Sequence, residues 1–90
     1  MTTNFEWDEE KASFNIRKHG ISFNEAKTVF EDSFSITLDD PIHSQLETRF
    51  LIIGYSRQNR VLLVIYTERE KTIRIISARR VTSGERKLYE

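Results

Sequence analysis

The sequence predicts one small α+β domain spanning residues 1–90, in the order β-α-α-β-β-β-β-α, with two N-terminal helices packed on a mostly antiparallel sheet. Length is the first reason: 90 residues and 10.7 kDa leave room for one domain of ordinary size. Composition is the second. A hydrophobic content of 38%, with six Phe, three Tyr and one Trp, supports a packed core rather than a disordered chain. The third is a change of period. Apolar residues recur at helical spacing as far as Phe30 and alternate from Ser33 onward.

Phe5-Glu6-Trp7 alternates and predicts a short first strand, with Phe5 and Trp7 on one face. Asp8 is placed to cap a helix over 9–18, with Glu9 and Glu10 in the acidic first turn and Ala12 and Ile16 as its apolar stripe. Gly20 supplies the left-handed residue that stops it. Ser22 and Glu25 form a capping box, and Ile21 and Ala26 occupy the staple positions. Phe23, Ala26, Val29 and Phe30 then share one face of a second helix over 23–31. From Ser33, the residues Phe34, Ile36 and Leu38 predict a strand that ends at Asp39-Asp40-Pro41. Residues 42–46 read as a loop containing His43. Arg49 to Tyr55 is the next strand, and Ser56 to Arg60 is a hairpin turn. Val61-Leu62-Leu63-Val64-Ile65 is apolar throughout, as expected of a central strand buried on both sides. A turn over Thr67 to Lys71 leads to a strand over Thr72 to Ser77, with Ile73 and Ile75 on one side and Arg74 and Ile76 on the other. Thr82-Ser83-Gly84-Glu85 is a further capping box, opening a terminal helix to about Tyr89.

Charge is balanced in total and uneven along the chain. Lys and Arg number 14, and Asp and Glu number 14. Residues 1–48 hold 4 basic and 10 acidic side chains, whereas residues 49–90 hold 10 basic and 4 acidic. The basic half is ordered by strands. Arg49 begins one, Arg57 and Arg60 flank a hairpin, Arg69 precedes the last strand, Arg74 lies within it, and Arg79-Arg80 follow it. Arginines brought to one sheet face would suit phosphate, because the guanidinium fork donates bidentately. A solvated sheet face and a surface for an acidic partner explain the same pattern. For Arg79-Arg80 the plain structural alternative is a turn flank held by Glu85 or Glu47.

Several classes are excluded. With no Cys there is no disulfide framework, thiolate metal site or thiol nucleophile. No apolar run approaches the roughly 20 residues of a membrane span, and the N-terminus has no export signal, so a cytoplasmic location is expected. Neither a Gly-rich phosphate loop nor a G-x-S-x-G element is present. The two histidines and scattered acids have no metal-ligand spacing, so neither metal nor cofactor is expected. His19 closes the first helix beside Lys18, where a cation is favourable, and either histidine has the chemistry of a general base. Glu47 is the acid closest to the basic strands, fit to accept a proton or to hold an arginine. Metal-free RNA cleavage needs little more. The substrate's own 2′-hydroxyl attacks, a side chain takes its proton, and arginines neutralise the charge developing on phosphorus.

A set of ordered motifs carries a family resemblance. Trp7-Asp8-x-x-Lys11, Asn15-x-x-Lys18-His19-Gly20-Ile21-Ser22-Phe23-x-x-Ala26 and Asp32 come first. Glu47-x-Arg49, Ile53-Gly54, Val64-x-x-Thr67-x-Arg69, Arg74 to Arg80 and Glu85-Arg86 follow. Over about Phe5 to Tyr89 the chain resembles the BrnT family of toxins. The resemblance implies a RelE-like fold and a ribonuclease of a bacterial type II toxin–antitoxin pair. It also implies neutralisation by a BrnA-like antitoxin, which would carry the contact with operator DNA. The expected catalytic residues are then Glu47, Arg69, Arg79 and His19, and the expected RNA phosphate-binding residues are Lys18, Arg49, Arg74 and Arg80. Arg79 and Arg69 would neutralise the phosphate, Arg49 and Arg80 would position it, and Glu47 or His19 would handle the proton. The alternative is a binding module without catalysis, whose basic face serves only the antitoxin and the operon-repression complex.

Overall fold

A computed structural model describes residues 3–41 and 47–89; the expected loop with His43 lies outside the described residues. The elements are β1 (Asn4–Glu6), α1 (Glu9–His19), α2 (Phe23–Ala26) continued by a 3-10 turn over Lys27–Glu31, β2 (Ile36–Asp39), β3 (Arg49–Tyr55), β4 (Val61–Arg69), β5 (Thr72–Arg80) and α3 (Ser83–Tyr89). The strands form one sheet in the order β1-β5-β4-β3-β2, antiparallel except for the parallel β1–β5 pair. The expected order and class therefore hold, and the all-apolar strand β4 is the central one. No helix of the described residues is long and apolar enough to cross a membrane.

Local signals fix the helix ends. Asp8 accepts from the amides of Glu10 and Lys11, and Gly20 ends α1 at φ 73° with its amide on the Ile16 carbonyl. Ser22 accepts from the Glu25 amide. The predicted second helix tightens after one turn, where the Thr28 hydroxyl donates to the Glu25 carbonyl at 2.6 Å. The second capping box also forms: the Glu85 amide donates to the Thr82 hydroxyl, and the Thr82 amide donates to the Glu85 carboxylate.

The main core lies between the helices and one face of the sheet. Ile21, Phe23, Ala26 and Val29 pack there on Ile52, Leu62, Val64, Tyr66, Ile75 and Ala78. Edge-to-face ring pairs, Phe5 on Phe30, Trp7 on Phe23 and Phe30 on Tyr66, extend it. A smaller cluster of Ile53, Val61 and Leu63, joined by Tyr89 of α3, occupies the opposite face. Among the described residues no other helix or strand covers that face, which is called the open face below.

Four expectations are corrected. Ile16 is 50% exposed, and α1 instead buries Ala12 and Asn15. The reason is the sheet edge. Among the described residues β1 pairs with Thr72 to Arg74 and no strand lies beyond the Ala78 backbone. The Asn15 amide takes the strand's place, donating to the Ala78 carbonyl at 2.8 Å and accepting from the Ala78 amide at 3.2 Å. Phe34 is 79% exposed, outside the strand that alternation assigned to it. Asp32 captures the Phe34 amide in a turn, delaying β2 to Ile36. The turn expected over Thr67 to Lys71 shrinks to Glu70-Lys71, with Glu70 at φ 56°, and Arg69 pairs with Thr72 inside the ladder. Finally, β5 runs on to Arg80 through a bulge: Tyr66 pairs with Ile75 and Ile65 with Ser77, leaving Ile76 as the extra residue. Beyond the bulge the alternation is inverted, so Ala78 shares the helix-side core with Ile75.

Candidate active site

Register decides where each basic side chain lies. Arg49 pairs with Thr67, and Thr67 pairs with Arg74. Directly opposed residues share a face, so the two arginines flank Thr67 in one row on the open face, with Cα atoms about 10 Å apart across two strand spacings. Arg69 is two residues beyond Thr67 on the same face. Thr67 itself is buried, its hydroxyl donating to the Thr48 carbonyl at 2.7 Å.

Two carboxylates reach this end of the open face. Arg69 donates to Glu47 from both Nε and Nη2, the nearest approach being 3.2 Å. Arg74 donates to Glu6 at 2.6 Å. Both pairs are partly exposed, so solvent screens them and each contributes about 0–1 kcal/mol to stability. The row is thus a set of donors held in place by contacts weak enough for a phosphate to replace.

The other expected residues lie elsewhere. Arg79 is also on the open face, opposite Leu63, but five residues along β5 from Arg74. There it forks onto Glu85 with bonds of 2.8 and 2.7 Å, which is the turn-flank alternative for this residue. The bond from Arg79, aided by the Thr82 amide and opposed by burial, holds the Glu85 carboxyl down at about 2. Arg80 pairs with Leu62 and so turns to the opposite, helix-side face. Lys18 and His19 end α1 and line a groove with Lys11, Phe14, Ile76 and Ser77 along the uncovered edge of β5. Ser77 pairs with Ile65, and Arg74 with Thr67, so this groove opens one row away from the arginine row. The structure thus brings Glu47, Arg49, Arg69 and Arg74 together. Lys18 and His19 line a separate groove at the edge of β5, Arg79 lies farther along that strand, and Arg80 faces the other side. Among the described residues, no three His, Asp or Glu side chains gather where they would hold a cation.

Sequence reading missed two organising acids. Asp32 accepts from the Tyr55 amide at 2.9 Å and from the Tyr89 hydroxyl at 2.5 Å, tying α3 to the end of β3. Burial opposes its charge, but these bonds outweigh burial and lower its pKa. Gly54 permits that approach, because a Cβ there would lie 3.0 Å from the Asp32 carboxylate and 3.1 Å from Val29. Glu25, read only as a capping residue, is buried. It accepts from the Ser56 hydroxyl at 2.7 Å and from Arg60 through both Nε and Nη2. These partners lie 31 and 35 residues away, so no local pattern could have announced them.

Comparison with known proteins agrees with the motifs. A family model described as the ribonuclease toxin, BrnT, of a type II toxin-antitoxin system matches residues 7–85. The fold is similar to the 1.1 Å crystal structure of the Brucella abortus ribonuclease toxin BrnT, with a TM-score of 0.66 and 24% identity, covering 91% of this chain and all of that one. No curated protein matches the chain. With motifs in order and nearly the whole length matched, the chain belongs to the BrnT family of ribonuclease toxins of type II toxin-antitoxin systems.

Proposed function

We propose that this protein is a metal-independent endoribonuclease whose cleavage centre is the arginine row of the open face. The observation that carries the proposal is the register itself: Arg49, Thr67 and Arg74 stand abreast, with the Glu47–Arg69 pair at the end of the row. A phosphodiester laid across the row meets guanidinium donors from three strands. Arg49 and Arg74 position it, and Arg69 meets the charge that develops on its oxygens. The Glu47 carboxylate takes the proton of the 2′-hydroxyl as that oxygen attacks phosphorus. The bond to the 5′-oxygen breaks, and His19, at the neighbouring edge, protonates the leaving oxygen. The products are a 2′,3′-cyclic phosphate and a 5′-hydroxyl. Lys18 adds positive charge on the leaving side, and Arg79 holds α3 against the far end of the same face.

The partner in this reading is a BrnA-like antitoxin that covers the open face and carries the operator contact. Incubating the purified protein with RNA in EDTA tests the centre, with cleavage and cyclic-phosphate ends as the expected result. Cleavage lost in EDTA and restored by magnesium would sink the metal-free account. Growth arrest on expression of this gene alone, relieved by the antitoxin gene, separates an enzyme from a passive binding module.

A further inference from the structure

The hairpin end of the sheet carries a second basic site, built differently from the first. A groove of about 320 Å³ runs there between the β3–β4 turn and the β5–α3 junction, lined by Asn59, Arg60, Val61, Arg80, Val81 and Arg86. No acid lines it. Arg60 is fixed from behind: its Nε and Nη2 are spent on the carboxylate of Glu25, whose side chain is 1% exposed. The Ser56 hydroxyl donates to the same carboxylate, at the oxygen that also accepts from Arg60 Nε. Burial works against the charge of Glu25, yet the bonds from Arg60 and Ser56 and the field of Arg60 and Arg80 outweigh it and lower its pKa. Among the described residues Arg80 and Arg86 have no carboxylate partner, and Arg86 donates only to the neutral Tyr55 hydroxyl at 3.1 Å. Counted over the described residues, three guanidinium groups facing one groove, with one buried acid behind them, leave a local surplus of two positive charges.

We propose that this groove is a phosphate-binding subsite for the RNA backbone, holding the strand away from the cleavage centre. The proposal rests on the ribonuclease reading above. Its geometry follows from β4, which runs from Val61 at the groove to Thr67 in the arginine row. Six residues of strand span about 20 Å, the distance an oligonucleotide must cross to occupy both sites. Apolar Val61 and Val81 make no demand on base identity, so the subsite contributes affinity and register without sequence preference.

The test uses a 2′-O-methyl RNA 12-mer, which cannot be cut through its 2′-oxygen, and a dinucleotide, whose single phosphate cannot bridge the two sites. Affinity is measured against salt for the wild-type protein and for R80Q/R86Q. Two lost phosphate contacts lower the slope of log K against log salt by about 1.4. They also weaken 12-mer binding on the order of tenfold, leaving the variant little preference for 12-mer over dinucleotide. Both side chains are exposed, and thermal melting checks the fold. Each single variant is expected to move the slope by half as much, so the measurement survives failure of the double variant. A wild-type protein that cuts ordinary RNA while R80Q/R86Q keeps its slope and 12-mer affinity overturns the groove and leaves the cleavage centre standing. A wild-type protein that neither binds nor cuts RNA overturns both. A double variant that keeps RNA affinity but loses the antitoxin gives the groove to a protein partner and also overturns the proposal.

Discussion

At the arginine row, Arg69 and Arg74 each rest on a carboxylate of their own, Glu47 and Glu6. At the hairpin end, Arg80 and Arg86 have no such partner among the described residues, and Arg60 shares a single buried acid. The difference is one of task. A guanidinium paired with a half-exposed carboxylate is oriented without much stabilisation, and the carboxylate stays within reach of whatever the arginine binds. That arrangement suits a site where a proton must move beside a bound phosphate. Guanidinium groups over a buried acid have no exposed base among the described residues to offer, and their arrangement suits attraction alone. The chain's total charge of zero conceals both, because most of its acids lie in the helical half.

Four experiments sharpen or break that contrast. The largest effect is expected at Glu47. Replacing it by Gln keeps the shape but removes the proton acceptor, and the rate of RNA cleavage should fall about 10²- to 10⁴-fold. Cleavage by E47Q at the wild-type rate would reduce Glu47 to a support for Arg69. Next is Glu25→Ala at the other end. Loss of the buried carboxylate strands the Ser56 hydroxyl and frees Arg60, and urea unfolding should show a loss of about 2–3 kcal/mol, below the range for a fully buried pair because Arg60 reaches solvent.

The third experiment is titration of α3. The Arg79 bond keeps Glu85 at about 2 in the fold, below its ordinary value, so its contribution is complete above about pH 4.5 and disappears as pH falls toward 2. Amide exchange in α3 should accelerate over that window, and E85Q should reduce the acid dependence to the part carried by Asp32, which anchors α3 through Tyr89. At the other extreme, the hydrogen bond to Asp32, assisted by burial, pushes the Tyr89 hydroxyl up to about 12. Its contribution is therefore present below pH 10 and lost as pH rises toward 12, a change that Y89F should remove. The smallest effect belongs to Arg57–Glu31, a pair exposed on both sides. For E31Q the melting temperature should match that of the wild type, because solvent screens such pairs almost completely; a clear drop would mean that exposed pairs contribute more here than the contrast allows.

Much of this molecule is legible from neighbouring residues. Asp8, Ser22 and Thr82 cap the helices they were expected to cap, and Gly20 adopts its left-handed conformation, because a cap is a bond between residues two or three apart. The alternation of β3 and the apolar run of β4 likewise depend only on a period of two. The misplaced positions have a common cause. Ile16 lost its place in the core because Asn15 answers an unpaired backbone 63 residues away, and Phe34 lost its strand to a turn that serves the packing of Asp32.

The candidate site divides in the same way. Its residue types, and their concentration in the strand half of the chain, were set by sequence alone, as was membership of a family whose motifs survive in order. Which arginines act together was decided by the tertiary structure. A two-residue turn draws Arg69 into the ladder, and the single extra residue Ile76 inverts the alternation, sending Arg79 to the open face and Arg80 to the other. A β-strand's faces repeat every two residues, so one inserted residue exchanges them completely. Only the pairing of distant strands determines whether that residue is inserted.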